Sequence, residues 1–587
     1  MTRVQACSIL IMAGALLQAC TGGDVAPQPQ PPVETTPVTY SENAMSAADR
    51  QQFYHQPEGS ELFPVAWVIH MNSPKTNRPF IENLERFGLI PDPDGPFFDG
   101  TQIRMPVGIA VSKRAGTEML EPLGLSKMVG VNCAACHVGQ LESGGKKFRV
   151  DGGPNVFDIV GFLQEIGDTA KATYTNPERL MTYVQARIRA GEIDPAGAAT
   201  ATSLLKDLEG LVKGGANEQA IKDFVTKTVG EEADLMKSYL TLLERFKAVQ
   251  NPETVPGFGR ADAFGTARAL LFGKENAQPL SAPSSFPYIW NMSRTAWFHW
   301  PSNTNSVMQR NLGEALGLGA SADPKTGEST IDLYGLHTME QLAYKTRAPK
   351  WPEDLLGKID QAKADRGEQI YRGAGAYKET ANCTRCHDSG KPDPNDPSVI
   401  NFTLIPLHVV GTDDGEAKNW TVPVTVDGKS VDFGAAQQVV LDKIFAKGKE
   451  QLKKNRPDLD VDKIEWESGR KNSPAWRIAY ANATTKTLGY PTKPLPGIWA
   501  TAPYLHNGSV PTLADMLTPP AERPQAFLVG SREYDAKKLG YRTDQAGWTF
   551  DTTKKGNSNQ GHPFGTTLKP EEKEDLLEFL KRLSPSS

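Results

Sequence analysis

Two short stretches of the chain place two cysteines and a histidine at the same spacing. Residues 133–137 read CAACH and residues 383–387 read CTRCH. Two thiols separated by two residues can form thioethers with the two vinyl groups of one porphyrin, and the adjacent imidazole can then bind the iron. The pattern therefore predicts two covalently bound haem c groups, with attachment through Cys133, Cys136, Cys383 and Cys386 and proximal iron ligation by His137 and His387.

Other uses of these cysteines fit the sequence less well. A zinc site needs four ligands in one place, whereas the two pairs lie far apart in the chain and each is followed directly by histidine. A thioredoxin-like site does not require that histidine. The chain has 6 cysteines, and after Cys7 and Cys20, both at the N-terminus, only the four haem-attachment thiols remain. No disulfide is therefore expected.

The N-terminus has the pattern of an export signal. Arg3 precedes the apolar residues 8–17 (SILIMAGALL), a run too short for the roughly 30 Å of a bilayer core. The run leads into residues 17–20 (LQAC), which resemble a bacterial lipobox with Cys20 as the lipid-bearing residue; a plain signal peptide is the alternative. We expect a signal peptide over 1–20, a Pro-rich tether over 21–50 and a lipid-anchored protein on the periplasmic side. Thr21 after the lipid-bearing cysteine resembles the outer-membrane sorting pattern.

Composition favours a folded protein without a nucleic-acid partner. The 587 residues are 39% hydrophobic and 23% charged, as in globular proteins. The 64 Lys+Arg against 69 Asp+Glu leave a net charge of -5, with no basic tract to match a phosphate backbone. At this length a single core is not expected, because cores stop growing at about 250–300 residues.

The helices that position the two motifs can be predicted from the periodicity of the sequence. Residues 364–372 and 569–583 have the spacing of helices. In the cytochrome c fold, which this region resembles, the first helix crosses the last where a small residue packs against an aromatic one. Gly367 and Phe579 are the expected pair. We expect a C-terminal cytochrome c domain over 354–587 and an N-terminal haem domain over 51–347, with a helical insertion at 176–250. Strand patterns are sparse, the clearest being 421–426 (TVPVTV). The predicted fold class is mainly α, with two cytochrome c-like haem domains.

Further stretches resemble the di-haem c-type cytochrome family of the bacterial latex (rubber) oxygenases and, more distantly, the bacterial di-haem cytochrome c peroxidases. The matching stretches are 61–67 (ELFPVAW), 133–140 (CAACHVGQ), 151–154 (DGGP), 294–300 (RTAWFHW), 310–320 (RNLGEALGLGA) and 496–513 (PGIWATAPYLHNGSVPTL). The resemblance implies one reactive haem with an open distal face, held by His137, and one six-coordinate haem that passes electrons, held by His387.

The resemblance also implies a sixth ligand for the second haem. In the c-type fold that ligand comes from the chain just before the last helix, where this sequence has His562, which matches a histidine of the latex oxygenases. His506 and Met516 are the alternatives. For His506 the competing interpretation is a hydrogen bond to a propionate or at the domain interface, and for Met516 it is core packing.

The distal side of the first haem is expected between residues 297 and 314. Peroxide cleavage needs a group that takes a proton from one oxygen and returns it to the other, and the candidates are His299, Gln309 and Glu314. The sequence departs from both families here. His299 falls where relatives often have Gln, and residues 313–317 (GEALG) lack the aromatic that the latex oxygenases place beside their oxygen-binding haem.

The resulting hypothesis is an exported di-haem oxidoreductase with peroxidase-like chemistry. Its partners would be a small redox donor or acceptor protein, peroxide or dioxygen, and the membrane through the lipid at Cys20. The alternatives are a latex-oxygenase-like dioxygenase and a non-enzymatic electron carrier, which would use the same attachment motifs.

Overall fold

A computed structural model describes residues 37–113, 126–192, 252–295, 297–304, 306–387, 391–392, 400–464, 488–545 and 547–583, with single positions between 203 and 214. Residues Val38–Ser587 form one compact unit. The predicted signal peptide over 1–20 and most of the predicted insertion lie outside the described residues. In the described part of the chain, no helix is long and apolar enough to cross a bilayer.

The helices are mostly short, and polar side chains at their N-termini define where they begin. Ser46 and Asp49, for example, form a reciprocal capping box at the start of the first helix. The α-helices are α1 (Ala47–His55), α2 (Val65–His70), α3 (Cys133–His137), α4 (Ile159–Thr175), α5 (Pro177–Arg189), α6 (Ala263–Phe272), α7 (Val307–Gly317), α8 (Leu333–Ala343), α9 (Glu353–Leu356), α10 (Gln361–Tyr371), α11 (Leu407–Val410), α12 (Gly415–Asn419), α13 (Phe433–Asn455), α14 (Leu513–Met516) and α15 (Pro570–Arg582).

The strands are also short and pair into many small sheets. They are β1 (Val38–Tyr40), β2 (Phe63–Pro64), β3 (Ile109–Lys113), β4 (Lys127–Val131), β5 (Val138–Ser143), β6 (Lys146–Asp151), β7 (Arg260–Ala261), β8 (Ser284–Ser285), β9 (Lys391–Pro392), β10 (Ile400–Asn401), β11 (Leu404–Pro406), β12 (Val424–Val426), β13 (Lys429–Val431), β14 (Gly489–Pro491), β15 (Ala526–Val529), β16 (Tyr534–Asp535), β17 (Gly540–Tyr541) and β18 (Trp548–Asp551). Two sheets have three strands, in the orders β1-β6-β5 and β2-β4-β3, and the other pairs are β7-β8, β9-β10, β11-β14, β12-β13, β15-β18 and β16-β17.

The predicted fold class, mainly α with two cytochrome c-like haem domains, is wrong. The protein is 39% helical and 16% strand, and two separate haem domains are not shown. The hydrophobic cores instead join the two halves of the chain: one core packs Leu141 and Trp290 against residues of the last 240 or so positions, such as Trp499 and Phe579. Another joins Met308 of α7 to Val440 of α13. Many of the strands have only two or three residues, which is too short for alternation to be recognised in sequence.

The crossing of the first and last C-terminal helices is confirmed. Helix α10 begins three residues before the predicted span 364–372, and α15 lies within the span 569–583. A Cβ added to Gly367 would stand 2.0 Å from the Asp575 carbonyl oxygen and 2.8 Å from Cβ of Phe579. Glycine is therefore what allows the two backbones to approach so closely. Tyr371, one turn further on α10, contacts the Phe579 ring at a centroid distance of 5.1 Å.

Other expectations concern the edges of the fold. The segment 21–50, expected to be a tether, contains β1 and the start of α1, and β1 pairs in parallel with β6. Of the predicted strand at 421–426, Val424–Val426 form β12, which pairs with β13 in a two-stranded sheet. Helix α5 occupies the beginning of the predicted insertion, and the rest of that insertion's leucine pattern lies almost wholly outside the described residues. The boundary between 347 and 354 stays a prediction.

Candidate functional site

The first motif is a single helical turn clamped between two strands. β4 leads into Asn132, α3 carries the motif, and β5 follows directly. The Asn132 side-chain oxygen accepts from the Ala134 N–H at 2.9 Å, while its amide donates to the carbonyls of Phe53, Tyr54 and Gln56. His137 at the end of this turn donates through Nδ1 to the Pro287 carbonyl at 2.9 Å.

The second motif is built in the same way. Asn382 precedes it and accepts from the Arg385 N–H at 3.2 Å, and the His387 N–H donates to the Cys383 carbonyl at 2.7 Å. His387 Nδ1 donates to the Lys493 carbonyl at 2.9 Å. The Tyr371 hydroxyl donates to the carbonyl of His387 itself at 2.8 Å, which ties the motif to α10.

These contacts fit the donor set that haem c requires at both motifs. Because a carbonyl can only accept, Nδ1 carries the proton in His137 and His387, and Nε2 keeps the lone pair that an iron needs. All four motif cysteines are free thiols, and burial raises the pKa of Cys133 and Cys136 well above the ordinary thiol value.

A cleft lies between the two motifs. It is partly open to solvent, and the two residues whose carbonyls hold the imidazoles, Pro287 and Lys493, both line it. Its lining combines aromatic and other apolar side chains with cationic and imidazole groups. The lining includes Tyr288, Trp290, Trp297, Phe298, His299, Arg310 and Phe402.

A guanidinium group faces the first imidazole. Arg310 on α7 donates through Nη2 to His137 Nε2 at 3.1 Å and pairs with Glu314, one turn further along, at 2.7 Å. Burial and the charge of Arg310 lower the pKa of His137 to about 3, so its imidazole is neutral. Iron could bind Nε2 of His137 only if Arg310 gave up its hydrogen bond to that atom. The guanidinium would then still have the carboxylate of Glu314 as its partner.

A second imidazole faces His387. The rings of His387 and His562 have centroids 6.2 Å apart and planes inclined by 46°. Two imidazoles on opposite faces of one iron have centroids about 6 Å apart, because each metal–nitrogen bond is about 2 Å and each nitrogen lies about 1 Å from its ring centre. Nδ1 of His562 is buried and has no hydrogen-bond partner in the described structure. Burial, with the charges of His387 and Arg523, lowers the pKa of His562 to about 3.

The two alternative ligands of the second motif have other partners. His506 stacks on Tyr490 at a centroid distance of 4.1 Å, and its Nε2 lies 3.1 Å from the Tyr490 hydroxyl, which donates to the Asp413 carbonyl. Met516 ends α14 inside a hydrophobic core with Leu513 and Leu517.

The three distal candidates separate in the structure. His299 lines the cleft; its Nδ1 donates to the Asn303 side-chain oxygen at 2.9 Å, which leaves Nε2 as an acceptor. Burial lowers the pKa of His299 to about 3. Gln309 turns away, accepting from the Thr304 hydroxyl and donating to Gln438. Glu314 reaches the cleft only through its ion pair with Arg310.

Two buried ionisable residues near the motifs were missed by sequence reasoning. Glu58 accepts from both the N–H and the thiol of Cys133, at 3.1 and 3.0 Å, and burial raises its pKa to about 7. Lys493 places its ammonium 3.7 Å from the Trp300 ring centroid, and burial lowers its pKa to about 7. No sequence pattern indicates either residue. The asparagine directly before each motif, Asn132 or Asn382, is a sequence signal that could have indicated how the motif turns are capped.

Comparison with known proteins places the chain among relatives. It is 30% identical to the uncharacterized protein y4iJ of Sinorhizobium fredii (strain NBRC 101917 / NGR234), with 93% of each chain covered. The chain belongs to the family of that protein. The chain is also 29% identical to the uncharacterized protein y4iM of the same organism, over 48% of this chain and 58% of that protein.

Part of the chain also matches a described domain family. Residues 489–528 match a family described as RoxA-like, cytochrome c-like. The match supports the resemblance to the latex-oxygenase cytochromes and implies haem c binding and an oxidoreductase-like role. The matched segment contains Lys493, whose carbonyl holds His387, and Arg523, which contacts the carbonyl of His562.

Proposed function

We propose that the protein is an exported di-haem c-type oxidoreductase with peroxidase-like chemistry at the first motif and electron transfer at the second. One observation carries the proposal, which is the asymmetry of the two motifs. The imidazole of His387 faces a second imidazole at a centroid distance of 6.2 Å, whereas His137 faces Arg310 beside an aromatic cleft.

The residues that would hold the two haems follow from the motifs. Cys133, Cys136 and His137 would hold the first, and Cys383, Cys386, His387 and His562 the second. When bound, the irons would supply a position for peroxide or dioxygen at the first motif and a store for single electrons at the second. Thioether bonds to the four cysteines would fix the porphyrins, and the Pro287 and Lys493 carbonyls keep each proximal imidazole in one orientation.

His299 is the acid–base group of this proposal. Its ring is neutral and its Nε2 is an acceptor, so it can take a proton from the near oxygen of hydrogen peroxide and return it to the leaving oxygen. Arg310, which lines the same cleft, supplies a positive charge beside it.

A dioxygenase of the latex-oxygenase type is the second candidate. The match of residues 489–528 to the RoxA-like, cytochrome c-like family favours it, as do the aromatic and apolar side chains in the lining of the cleft. An oxygenase puts both oxygen atoms into its product and needs no net electron supply, so it requires no donor protein.

Turnover assays separate the candidates. A peroxidase should reduce hydrogen peroxide with electrons from a small reduced cytochrome or a dye, and His299→Ala should slow this by about 10²-fold or more. Gln309→Ala is the matched control, because the side chain of Gln309 is bound to Thr304 and Gln438. Peroxide-independent oxygen uptake with an unsaturated hydrocarbon would favour the oxygenase.

A spectroscopic test addresses the open site itself. The oxidised protein should contain one high-spin and one low-spin haem, and the reduced protein should bind one carbon monoxide. If no high-spin haem is present and no carbon monoxide binds, the protein is an electron carrier and the proposed catalysis is wrong.

The proposal includes the location and the partners. Lipid on Cys20 would attach the protein to the periplasmic side of a membrane, with the outer membrane as the expected one. A small redox protein would supply electrons at the second motif, where His562 is followed by an exposed phenylalanine, Phe564, whose side chain is 48% accessible.

A further inference from the structure

The side chain of Arg523 gathers an unusual number of backbone carbonyls. The residue is buried, with 3% of its surface accessible, and within the described residues its guanidinium donates to backbone carbonyls alone. Nε donates to Asp515 and Thr518 at 3.2 Å each, Nη1 to Asn559 at 2.7 Å and Gly561 at 2.8 Å, and Nη2 to Met516 at 3.3 Å and His562 at 3.0 Å.

These carbonyls belong to two separate pieces of chain. Asp515 and Met516 end α14, which Thr512 caps and which packs into a hydrophobic core. The other piece is the turn 559–562, which carries His562. The five N–H groups of one planar guanidinium therefore fasten this turn to a helix that is itself fixed.

The turn holds His562 in a backbone conformation that needs such support. The φ of His562 is 46°, in the left-handed region that residues with a side chain seldom occupy. Strained positions of this kind persist only where their surroundings fix them, and they concentrate at functional sites. On the opposite side of the turn the His562 N–H donates to the Val410 carbonyl at 2.7 Å. Gly561 packs so closely on Gly411 that an added Cβ would stand 2.3 Å from its carbonyl carbon.

We propose that Arg523 is a positioning residue that holds the imidazole of His562 towards His387. The inference rests on the proposed function, since it matters only if His562 is the sixth ligand. Without the guanidinium, the carbonyls of Asn559, Gly561 and His562 lose their donor. The backbone of His562 can then relax out of the left-handed region, and its ring leaves the face opposite His387.

The test compares four variants of the full-length holoprotein. Arg523→Gln removes the charge and most of the donors, and Arg523→Lys keeps a charge with a single donor group. Arg268→Gln is the matched control, because Arg268 is also buried and donates to the carbonyls of Asn419, Val422 and Pro423, without any contact to the turn 559–562. His562→Ala is the reference for complete loss of the ligand.

The readout is the spin state of the second haem, followed by absorption and electron paramagnetic resonance. In Arg523→Gln we expect at least half of the low-spin signal to be lost and a second carbon monoxide to bind after reduction. Added imidazole should restore the low-spin signal, because it can occupy the vacated position. Arg523→Lys should lie between wild type and Arg523→Gln, and Arg268→Gln should keep the wild-type spectrum at equal haem content.

Three results would overturn the inference, and a fourth concerns the proposed function. Retention of the full low-spin signal in Arg523→Gln, or equal loss of it in Arg268→Gln, would show that Arg523 has no specific effect on His562. If Arg523→Gln yields no holoprotein, a wild-type spectrum in Arg523→Lys overturns the inference in the same way. If His562→Ala itself remains low-spin, the ligand assignment fails, whatever the Arg523 variants do.

Discussion

Asn132 and Asn382 offer a test of how each haem-attachment turn is held, because the same residue type stands at the same position before both motifs. Asn132 is completely buried, and its amide reaches the carbonyls of Phe53, Tyr54 and Gln56 in addition to capping α3. Asn382 is half-buried and accepts only locally, from the Arg385 N–H and the Thr384 hydroxyl.

The expected magnitudes follow from these contacts. Asn132→Ala loses a cap worth about 1 kcal/mol and two amide donors worth about 1 kcal/mol each, so we expect a local destabilisation of about 2–3 kcal/mol. Asn382→Ala loses mainly the cap, so we expect about 1 kcal/mol or less. Asn132→Ser keeps an oxygen that can cap the helix and should recover about 1 kcal/mol of the loss.

Hydrogen–deuterium exchange resolves the two turns separately. A loss of about 2 kcal/mol should raise local opening roughly 30-fold, so exchange should accelerate by that factor in peptides that cover 53–56 and 133–137 of Asn132→Ala. The corresponding acceleration at 383–387 of Asn382→Ala should be about fivefold or less. Equal effects of the two substitutions, or a larger effect of Asn382→Ala, would refute the reasoning from burial.

Three further predictions concern other parts of the chain. Hydrogen bonds to Lys345 and Ser46 lower the pKa of Asp49 to about 2, so the stabilisation by its carboxylate is complete above about pH 4 and is lost as the pH falls through 2. Asp49→Asn should therefore cost about 1 kcal/mol at pH 7, after allowance for solvent screening, and nothing at pH 2. Hydrogen–deuterium exchange in α1 measures this difference. Gly367→Ala should destabilise the α10–α15 crossing by about 1–2 kcal/mol, because overpacking against Asp575 exceeds the gain of about 1 kcal/mol in helix propensity; an unfolding midpoint at or above that of wild type would contradict this. Cys20→Ala should abolish lipid labelling and release the protein from the membrane fraction, whereas wild-type protein found wholly in the soluble fraction would argue against the lipobox.

The parts of the site that could be predicted are those encoded within a few residues. The C-x-x-C-H spacing identifies the attachment turns, and the small residue at 367 with the aromatic at 579 identifies the α10–α15 crossing, because each depends on local chemistry or on helical periodicity. His562 was predicted from its position just before the last helix, as the family resemblance implies. In the structure its ring centroid lies 6.2 Å from that of His387.

The rest depends on contacts between distant parts of the chain. Pro287 and Lys493, which hold the two imidazoles, lie more than a hundred residues from the histidines they bind, and no local pattern indicates a carbonyl acceptor. The small sheets were underestimated because strands of two or three residues show no periodicity. The β5–β6 hairpin did have a sequence signal. Its turn is Gly144-Gly145, with φ of 56° and 77°, and two glycines between strands are typical of a tight hairpin turn.

The central claim is that each motif binds one haem covalently within a single compact protein, and the number of haems per denatured chain tests it most directly. Mass spectrometry of the wild-type protein should show two haems. The Cys133→Ser/Cys136→Ser and Cys383→Ser/Cys386→Ser double variants should each show one. A wild-type chain with fewer than two covalent haems, or a double variant that retains both, would contradict the account.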